Sequence, residues 1–308
     1  QTSPLEELDR NEHLGKIERS KLDAIAAEID DYKKVNGLID FTDMLDKFLI
    51  KGNVDNKFDV IFVDEAQDLS LIQWKMIEKI EKDNQCDVWV AGDDDQAIFG
   101  WAGADVNSFI NWKAEEIPLQ QSERVPSEIQ LKALQIIDRV QDNRLSKDYL
   151  PKKEAGEILM QFKLSAIDMT KGDWLILART NPLLKPIPKY LKSMGLFFET
   201  AQGNSIGKTL FEDISYWNKI RKGEKIPEVQ EQRVLERMSK RDNKLEWYDA
   251  FDQVASSKKD YLRSMLANGE DLSKQPRIKV STIHGAKGGE ATNVVLFLNQ
   301  TKNTMKAA

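Results

Sequence analysis

Two short apolar runs, each ending abruptly in carboxylates, constrain this chain more than any other feature. Phe58-Asp59-Val60-Ile61-Phe62-Val63 closes on Asp64-Glu65, and Asp87-Val88-Trp89-Val90-Ala91 closes on Gly92-Asp93-Asp94-Asp95. Short apolar runs rich in β-branched residues read as buried parallel strands. Between them Ser70 is placed to cap a helix running roughly to Ile80. Strand, helix, strand at this spacing is a βαβ unit, normally right-handed, with ligands at the strand carboxyl ends. The chain is therefore α/β, and its chemistry is to be sought where the acids cluster.

Further elements follow the same alternation. A helical segment is expected from Pro4 to Lys34 and a second helix from Thr42 to Ile50. Downstream come a helix at 126–140, strands at Glu157 to Phe162 and Trp174 to Ala178, a helix at 183–194, a strand at Leu196 to Thr200 and a helix near 209–221. The charged stretch 222–275 reads as a short helical insertion, and strands Ile278 to Thr282 and Val294 to Leu298 close the pattern. The 308 residues, 41% of them hydrophobic, suit two domains at roughly 150 residues each, divided at 1–120 and 121–308. Charge divides at the same place. The first part carries 13 basic and 27 acidic side chains (net −14) and the second 32 and 24 (net +8), within a total of −6. No apolar run approaches the ~20 residues of a membrane helix, so a soluble, intracellular protein with no membrane partner is expected. The single Cys86 excludes an internal disulfide framework or a zinc ribbon, and with only His13 and His284 a His-rich metal site is excluded as well. Because position 1 is Gln, the chain is expected to be a piece of something longer, and the polar tail Thr301 to Ala308 a cut end or loop.

Consecutive carboxylates just past an apolar strand, as in Val63-Asp64-Glu65-Ala66-Gln67-Asp68, suit a Mg²⁺ held through water beside a second acid that orients a nucleophilic water. They equally suit an acidic helix start favoured by the helix dipole. The second strand end, Gly92-Asp93-Asp94-Asp95-Gln96-Ala97-Ile98-Phe99-Gly100-Trp101-Ala102-Gly103-Ala104, tips the balance. A core has no use for three aspartates and a Gln followed by two spaced aromatics. An amide can sense a γ-phosphate, and exposed aromatics stack on bases for ~1–3 kcal/mol each.

On these residues the sequence resembles the UvrD/Rep-like superfamily 1 DNA helicases. The resemblance makes Asp64-Glu65-Ala66-Gln67-Asp68 the Walker B motif and Gly92 through Ala104 the motif that couples ATP to single-stranded DNA. It extends to Asp40-Phe41-Thr42-Asp43-Met44-Leu45 upstream and to Leu119-Gln120-Gln121-Ser122-Glu123-Arg124-Val125-Pro126 downstream, where the family writes an Asn-Tyr-Arg-Ser core. It continues through Arg179-Thr180-Asn181 and Thr282-Ile283-His284-Gly285-Ala286-Lys287-Gly288-Gly289-Glu290, similar to the family's Arg-x-Asn and Thr-x-His-x-x-Lys-Gly-x-Glu motifs. The implied fold is a pair of RecA-like (P-loop NTPase-type) parallel-sheet domains, the first incomplete, with helical insertions, sandwiching ATP. The implied activity is ATP-driven movement on single-stranded DNA in the 3′ to 5′ sense, acting at DNA duplex junctions. A cytoplasmic protein of bacterial or phage-like type is expected.

Residue by residue, the resemblance implies that Asp64 holds Mg²⁺, Glu65 activates water, and Gln96 and Arg124 meet the γ-phosphate, the arginine from across the domain gap. Gly288 and Glu290 would lie near the nucleotide. Phe99, Trp101, Thr282 and His284 would face DNA, while Arg179 would either join them or pair with a local acid. The many acids of the first part would be offset by Mg²⁺ and a P-loop lysine.

Several family features are missing. No Gly-x-x-x-x-Gly-Lys-Thr precedes Asp64, no Arg-rich motif follows Leu298, and Ala102 and Glu123 stand where the family usually has Arg and Tyr. Gly203-Asn204-Ser205-Ile206-Gly207-Lys208-Thr209 imitates the missing cradle but separates its glycines by three residues, not four. Two other readings compete with the motor. A non-catalytic, helicase-like DNA-binding or regulatory protein fits the absent P-loop. A small-molecule kinase would use Asp64 but leaves Phe99, Trp101 and the Thr282 motif unexplained.

Overall fold

In the computed structural model the two acid-tipped runs form β1 (Val60–Val63) and β2 (Asp87–Val90), paired in parallel with Val63 opposite Val90. The structure describes residues 18–54, 57–140, 144–272, 274–301 and 305. The expected helical segment from Pro4 therefore lies outside the described residues as far as 17, as do His13 and most of the polar tail. Its described part is α1 (Arg19–Asn36), and Gly37 in the left-handed conformation ends it. Helix α2 (Phe41–Lys51) starts on a reciprocal capping box. The Asp40 carboxylate accepts from the Asp43 N–H at 2.8 Å, and the Asp43 carboxylate accepts from the Asp40 N–H at 3.0 Å. The Asp-Phe-x-Asp pattern singled out in the sequence is thus a helix start. Helix α3 (Leu71–Asn84) follows Ser70, whose N–H donates to Gln73 Oε1 at 2.8 Å.

Two compact units divide the chain, Gln1–Met160 and Gln161–Ala308. The division at 120/121 expected from the motifs falls inside the first unit. There, after α4 (Val106–Ile110), come β3 (Gln121–Pro126), α5 (Ser127–Ile137) and β4 (Leu150–Lys152), with β3 and β4 a second parallel pair. The strand expected at Glu157 to Phe162 does not form: the segment is irregular, and Leu159, Met160 and Phe162 are exposed. Its apolar residues promise a strand, but among the described residues no neighbouring strand pairs with it. The buried core of this unit is small: Ala66, Trp74 and Ile77, flanked by partly buried Val63, Leu69, Val88, Val90, Phe109 and Trp112.

The second unit carries β5 (Trp174–Ala178), α6 (Asn181–Leu184), α7 (Pro186–Ser193), β6 (Phe198–Thr200), β7 (Gly203–Asn204) and α8 (Lys208–Arg221). Then follow α9 (Glu228–Leu235), α10 (Trp247–Ala250), α11 (Ser256–Ala267), β8 (Ile278–Thr282) and β9 (Asn293–Phe297). One five-stranded sheet runs β7-β6-β8-β5-β9, parallel except for the β6–β7 hairpin. Helix α8 buries Leu210, Ile214, Trp217 and Ile220, one face at helical spacing. The stretch expected as an insertion packs into this same core through Val234, Trp247, Phe251, Leu262 and Met265. Polar anchoring supports it: buried Asp213 on α8 accepts from Arg233 Nε at 2.6 Å and Arg237 Nε at 2.9 Å. The fold is mixed α/β with parallel sheets in both units, compatible with a RecA-like helicase fold. The P-loop imitation falls on the β6–β7 hairpin and the start of α8, with Gly207 N–H donating to Asn204 Oδ1 at 2.8 Å.

Candidate nucleotide and nucleic-acid site

Past the ends of β1 and β2 the ladder continues: Ala91 N–H donates to the Val63 carbonyl at 2.7 Å and Ala66 N–H to the Ala91 carbonyl at 3.0 Å. The acids of both strands are thereby held side by side. Asp64 and Glu65 are exposed, and Asp64 Oδ1 accepts from Glu65 N–H at 2.8 Å. Glu65 sits in the left-handed region at φ 50°, a conformation that costs a non-glycine residue on the order of 1 kcal/mol and collects at functional sites. Its backbone turn puts Ala66 and Gln67 under the sheet end, both fully buried. There the Gln67 amide donates from Nε2 to Glu65 Oε2 at 2.6 Å and accepts at Oε1 from Asp93 N–H at 3.0 Å. Gly92 makes room for it: a Cβ at that position would stand 2.4 Å from Gln67 Oε1.

The aspartate triad is neutralised by residues that sequence reasoning missed. Arg144 grips Asp95 in bidentate fashion, Nε to Oδ1 at 2.7 Å and Nη2 to Oδ2 at 3.1 Å. Lys147 meets Asp93 at 2.5 Å, Asp95 at 3.4 Å and the nearly buried Asp94. Leu145 N–H adds a bond to Asp94 Oδ2 at 2.9 Å. Within the first unit these two cations therefore do, for the triad, the work expected of Mg²⁺ and a P-loop lysine. Burial alone would push the Asp93 carboxyl up, but bonds from Lys147 and Gln96 outweigh it and hold it below the usual carboxylate range. Burial would likewise lower the Lys147 ammonium, and Asp93 and Asp94 reverse the sign and raise it. The only advance signal was the pair Arg144 and Lys147 in an otherwise ordinary polar stretch.

Gln96 is exposed and its Nε2 donates to Asp93 Oδ2 at 2.7 Å, so Asp93 touches both the Gln67 amide and the Gln96 amide. The Phe99 and Trp101 rings lie together, centroids 6.4 Å apart and tilted by 59°. Trp101 is 62% exposed, which removes the core-tryptophan explanation. Arg124 is exposed on β3, where the Ser122 hydroxyl accepts from Val125 N–H at 3.0 Å.

In the second unit the register sets Ala178 of β5 opposite Thr282 of β8, which brings the two motifs that follow these strands together. Arg179 Nη1 lies 3.0 Å from His284 Nε2, a contact in place of the local acid considered for it. A guanidinium only donates, so the ring nitrogen facing it accepts. Thr282 Oγ1 accepts from Gly285 N–H at 3.1 Å, shaping the turn. Gly288 turns at φ 78°, a left-handed conformation suited to glycine, and precedes exposed Glu290. An open cleft of about 850 Å³ lies at these strand ends, lined among others by Asn181, Thr200, Thr282, Lys287 and Glu290.

Among the described residues no group of three or more His, Cys, Asp or Glu is arranged to hold a metal ion. Mg²⁺ needs less: one or two carboxylates, with water and substrate phosphates completing its shell. Exposed Asp64 at a strand end fits that donor set. Among the described residues, too, no helix is long and apolar enough to cross a membrane.

Comparison with known proteins finds relatives for part of the chain. Residues 1–116 match the UvrD/REP helicase N-terminal domain. DNA helicase II of Haemophilus influenzae is 37% identical over 133 residues, 39% of this chain and 18% of the relative. DNA helicase II of Escherichia coli is 36% identical over 124 residues, 36% of this chain and 17% of the relative. ATP-dependent DNA helicase PcrA of Bacillus subtilis is 25% identical over 247 residues, 69% of this chain and 32% of the relative. The first part of the chain is thus similar to the UvrD/Rep-like helicases, and the chain spans a third or less of the length of these relatives.

Proposed function

We propose that this chain is the core of an ATP-dependent DNA helicase that couples nucleotide hydrolysis to 3′ to 5′ movement on single-stranded DNA and acts at duplex junctions in the bacterial cytoplasm. One observation carries the reading: the two strand ends with Asp64-Glu65 and Asp93-Gln96 are hydrogen-bonded into one piece, and that piece ends in an exposed tryptophan. Chemistry at one end and a stacking surface at the other is what a motor requires. The names of the relatives, DNA helicase II and ATP-dependent DNA helicase PcrA, support the same reading.

In this scheme Asp64 holds Mg²⁺, which supplies neutralisation of phosphate charge when bound. Glu65 orients the attacking water and takes its proton. Gln96 senses the γ-phosphate, and Arg124 stabilises charge that develops on it, a contribution of a factor of ~10³ or more where such arginines act. Gly288 and Glu290 border the nucleotide. Phe99 and Trp101 stack on bases, and Arg179, Thr282 and His284 meet the strand. The Arg179–His284 contact supports a shared surface for the last group, since one guanidinium and one imidazole suit a phosphate-and-base ligand.

A helicase-like DNA-binding or regulatory protein without turnover is the alternative reading. Two measurements separate the readings. In the full-length protein, Glu65→Gln should abolish DNA-stimulated ATP turnover and spare DNA binding; retained turnover removes Glu65 from the chemistry. The chain by itself, lacking a P-loop, should hydrolyse ATP negligibly, and a robust DNA-stimulated rate from it would overturn that expectation. Trp101→Ala should weaken single-strand binding by ~1–3 kcal/mol, read by fluorescence anisotropy, and unchanged affinity would leave Trp101 outside the interface.

A further inference from the structure

We propose that Gln67 is a positioning residue that locks the Glu65 carboxylate to the Asp93–Gln96 turn, so that the group acting on water and the amide sensing phosphate are placed as one body. The inference rests on the reading of Glu65 and Gln96 given above and adds a part which that reading does not contain.

Gln67 is fully buried, where a polar side chain persists only if both its donor and its acceptor are used. Both are, and with opposite polarity. The donor end meets a carboxylate, Glu65 Oε2 at 2.6 Å, and the acceptor end meets a backbone N–H, that of Asp93 at 3.0 Å. The choice of residue is dictated by this pairing. A methionine of similar length would fill the space and strand both partners. A glutamate would keep the acceptor for Asp93 but set a second carboxylate against Glu65. Only the amide serves both. The seat is built for it, because Gly92 leaves the space in which any Cβ would come within 2.4 Å of Gln67 Oε1.

The link does not stop at Asp93. That residue's carboxylate accepts from Gln96 Nε2 at 2.7 Å, completing a path Glu65, Gln67, Asp93, Gln96 in three hydrogen bonds. Lys147 holds the same carboxylate at 2.5 Å, so the Asp93 link of the path is anchored. At the near end, Glu65 occupies a left-handed backbone conformation that its own preferences disfavour, and the bond from Gln67 is one of the contacts that hold it there. A carboxylate held against strain in one geometry is pre-organised, which is how a positioned acid gains its catalytic advantage.

The coupling is tested first without ATP, in the chain as it stands. Amide spectra are recorded by NMR for the unaltered chain, Glu65→Gln, Gln67→Met and the double variant. Glu65→Gln should displace the Asp93 amide resonance when Gln67 is present, and the displacement should vanish in the Gln67→Met background. Equal displacement in both backgrounds, or none in either, overturns the inference. Should Gln67→Met fail to fold, Gln67→Leu completes the same cycle, because it lacks both the donor to Glu65 and the acceptor for the Asp93 N–H. In the full-length protein, Gln67→Met should lower kcat for ATP turnover by ~10²-fold with KM for ATP little changed, the signature of a misplaced acid. A fall only in proportion to lost folded protein would assign Gln67 to the fold alone and overturn the inference. If the spectra show coupling and Glu65→Gln retains turnover, the coupling stands and the role given to Glu65 fails.

Discussion

Phe62 on β1 and Trp89 on β2 are 78% and 53% exposed, whereas Ile176 on β5 and Ile278 on β8 are completely buried. The two units thus hold their strand ends by different means. In the second, a sheet of five strands is covered by helices, and packing of Trp217, Phe251, Leu262 and their neighbours fixes the motifs after β5 and β8. In the first, two-stranded sheets over a small core do less, and the turns that carry the candidate residues are fixed by polar contacts: Gln67 between the strand ends, Arg144 and Lys147 on the aspartates. Apolar packing tolerates no holes but is indifferent to pH. A polar clamp reverses both properties.

The largest expected effect breaks the packed side of this comparison. Trp217 is fully buried against Phe251 with ring centroids 6.1 Å apart, and Trp217→Ala should destabilise the second unit by ~3–5 kcal/mol. Hydrogen exchange at β5 amides reads that loss separately from the first unit; a cost under ~1 kcal/mol would show that the core is not what holds these strands. Next comes the clamped side. Lys147→Met leaves the Asp94 side chain, 2% exposed, without its ammonium partner while Arg144 still serves Asp95, and should cost the first unit about 2–3 kcal/mol.

That second loss should depend on pH. The Asp93 carboxyl is held low in the folded state, so its contribution is present above the unfolded carboxylate value and disappears as pH falls through the lower folded one. The Lys147 ammonium is held high, so its contribution is complete below the unfolded lysine value and is lost only far into the alkaline range. Urea midpoints of the two forms should therefore differ by a constant amount from neutral to mildly alkaline pH and converge below about pH 4, where carboxylates protonate. Midpoints that converge on the alkaline side instead would contradict the clamp. The smallest effect is expected at Phe62→Thr, an exposed position on β1, where stability should change by no more than ~0.5 kcal/mol. A larger loss would mean that the aromatic pair Phe62–Trp89, 6.3 Å between centroids, contributes to the sheet despite its exposure.

Much of this is legible in the sequence. Apolar runs announced β1, β2, β5, β8 and β9, and the sequence also announced α3 and α8; β5, β8 and α8 bury their apolar side chains, whereas β1 and β2, expected as buried strands, alternate exposed with partly buried residues because each belongs to a sheet of only two strands. The runs that failed did so for an identifiable reason. Ile158-Leu159-Met160-Gln161-Phe162 has strand-like residues but no partner strand, and the polar Gln121–Pro126 becomes β3 because Leu150–Lys152 lies alongside it. Pairing is a property of two segments, and neither run carries information about the other. The stretch 222–275 was recognisably helical, yet nothing in its local pattern told an independent insertion from the core lid it turns out to be.

The candidate site divides along the same line. The sequence by itself singled out the candidate residues, since carboxylates, an amide and aromatics gathered at strand ends are unexplained by burial: Asp64, Glu65, Gln96 and Trp101 were named from type and spacing alone. Only the tertiary structure decided how they are held. Gln67 stood in plain view within the motif, but its service to Glu65 and Asp93 exists only once two parallel strands bring residues 26 apart into hydrogen-bond range. Arg144 and Lys147 lie 49 and 54 residues from the aspartates they neutralise. Short-range pattern follows from covalent geometry and solvent, which act on every segment alone, whereas charge pairing and buried hydrogen bonds depend on which distant groups the fold makes neighbours.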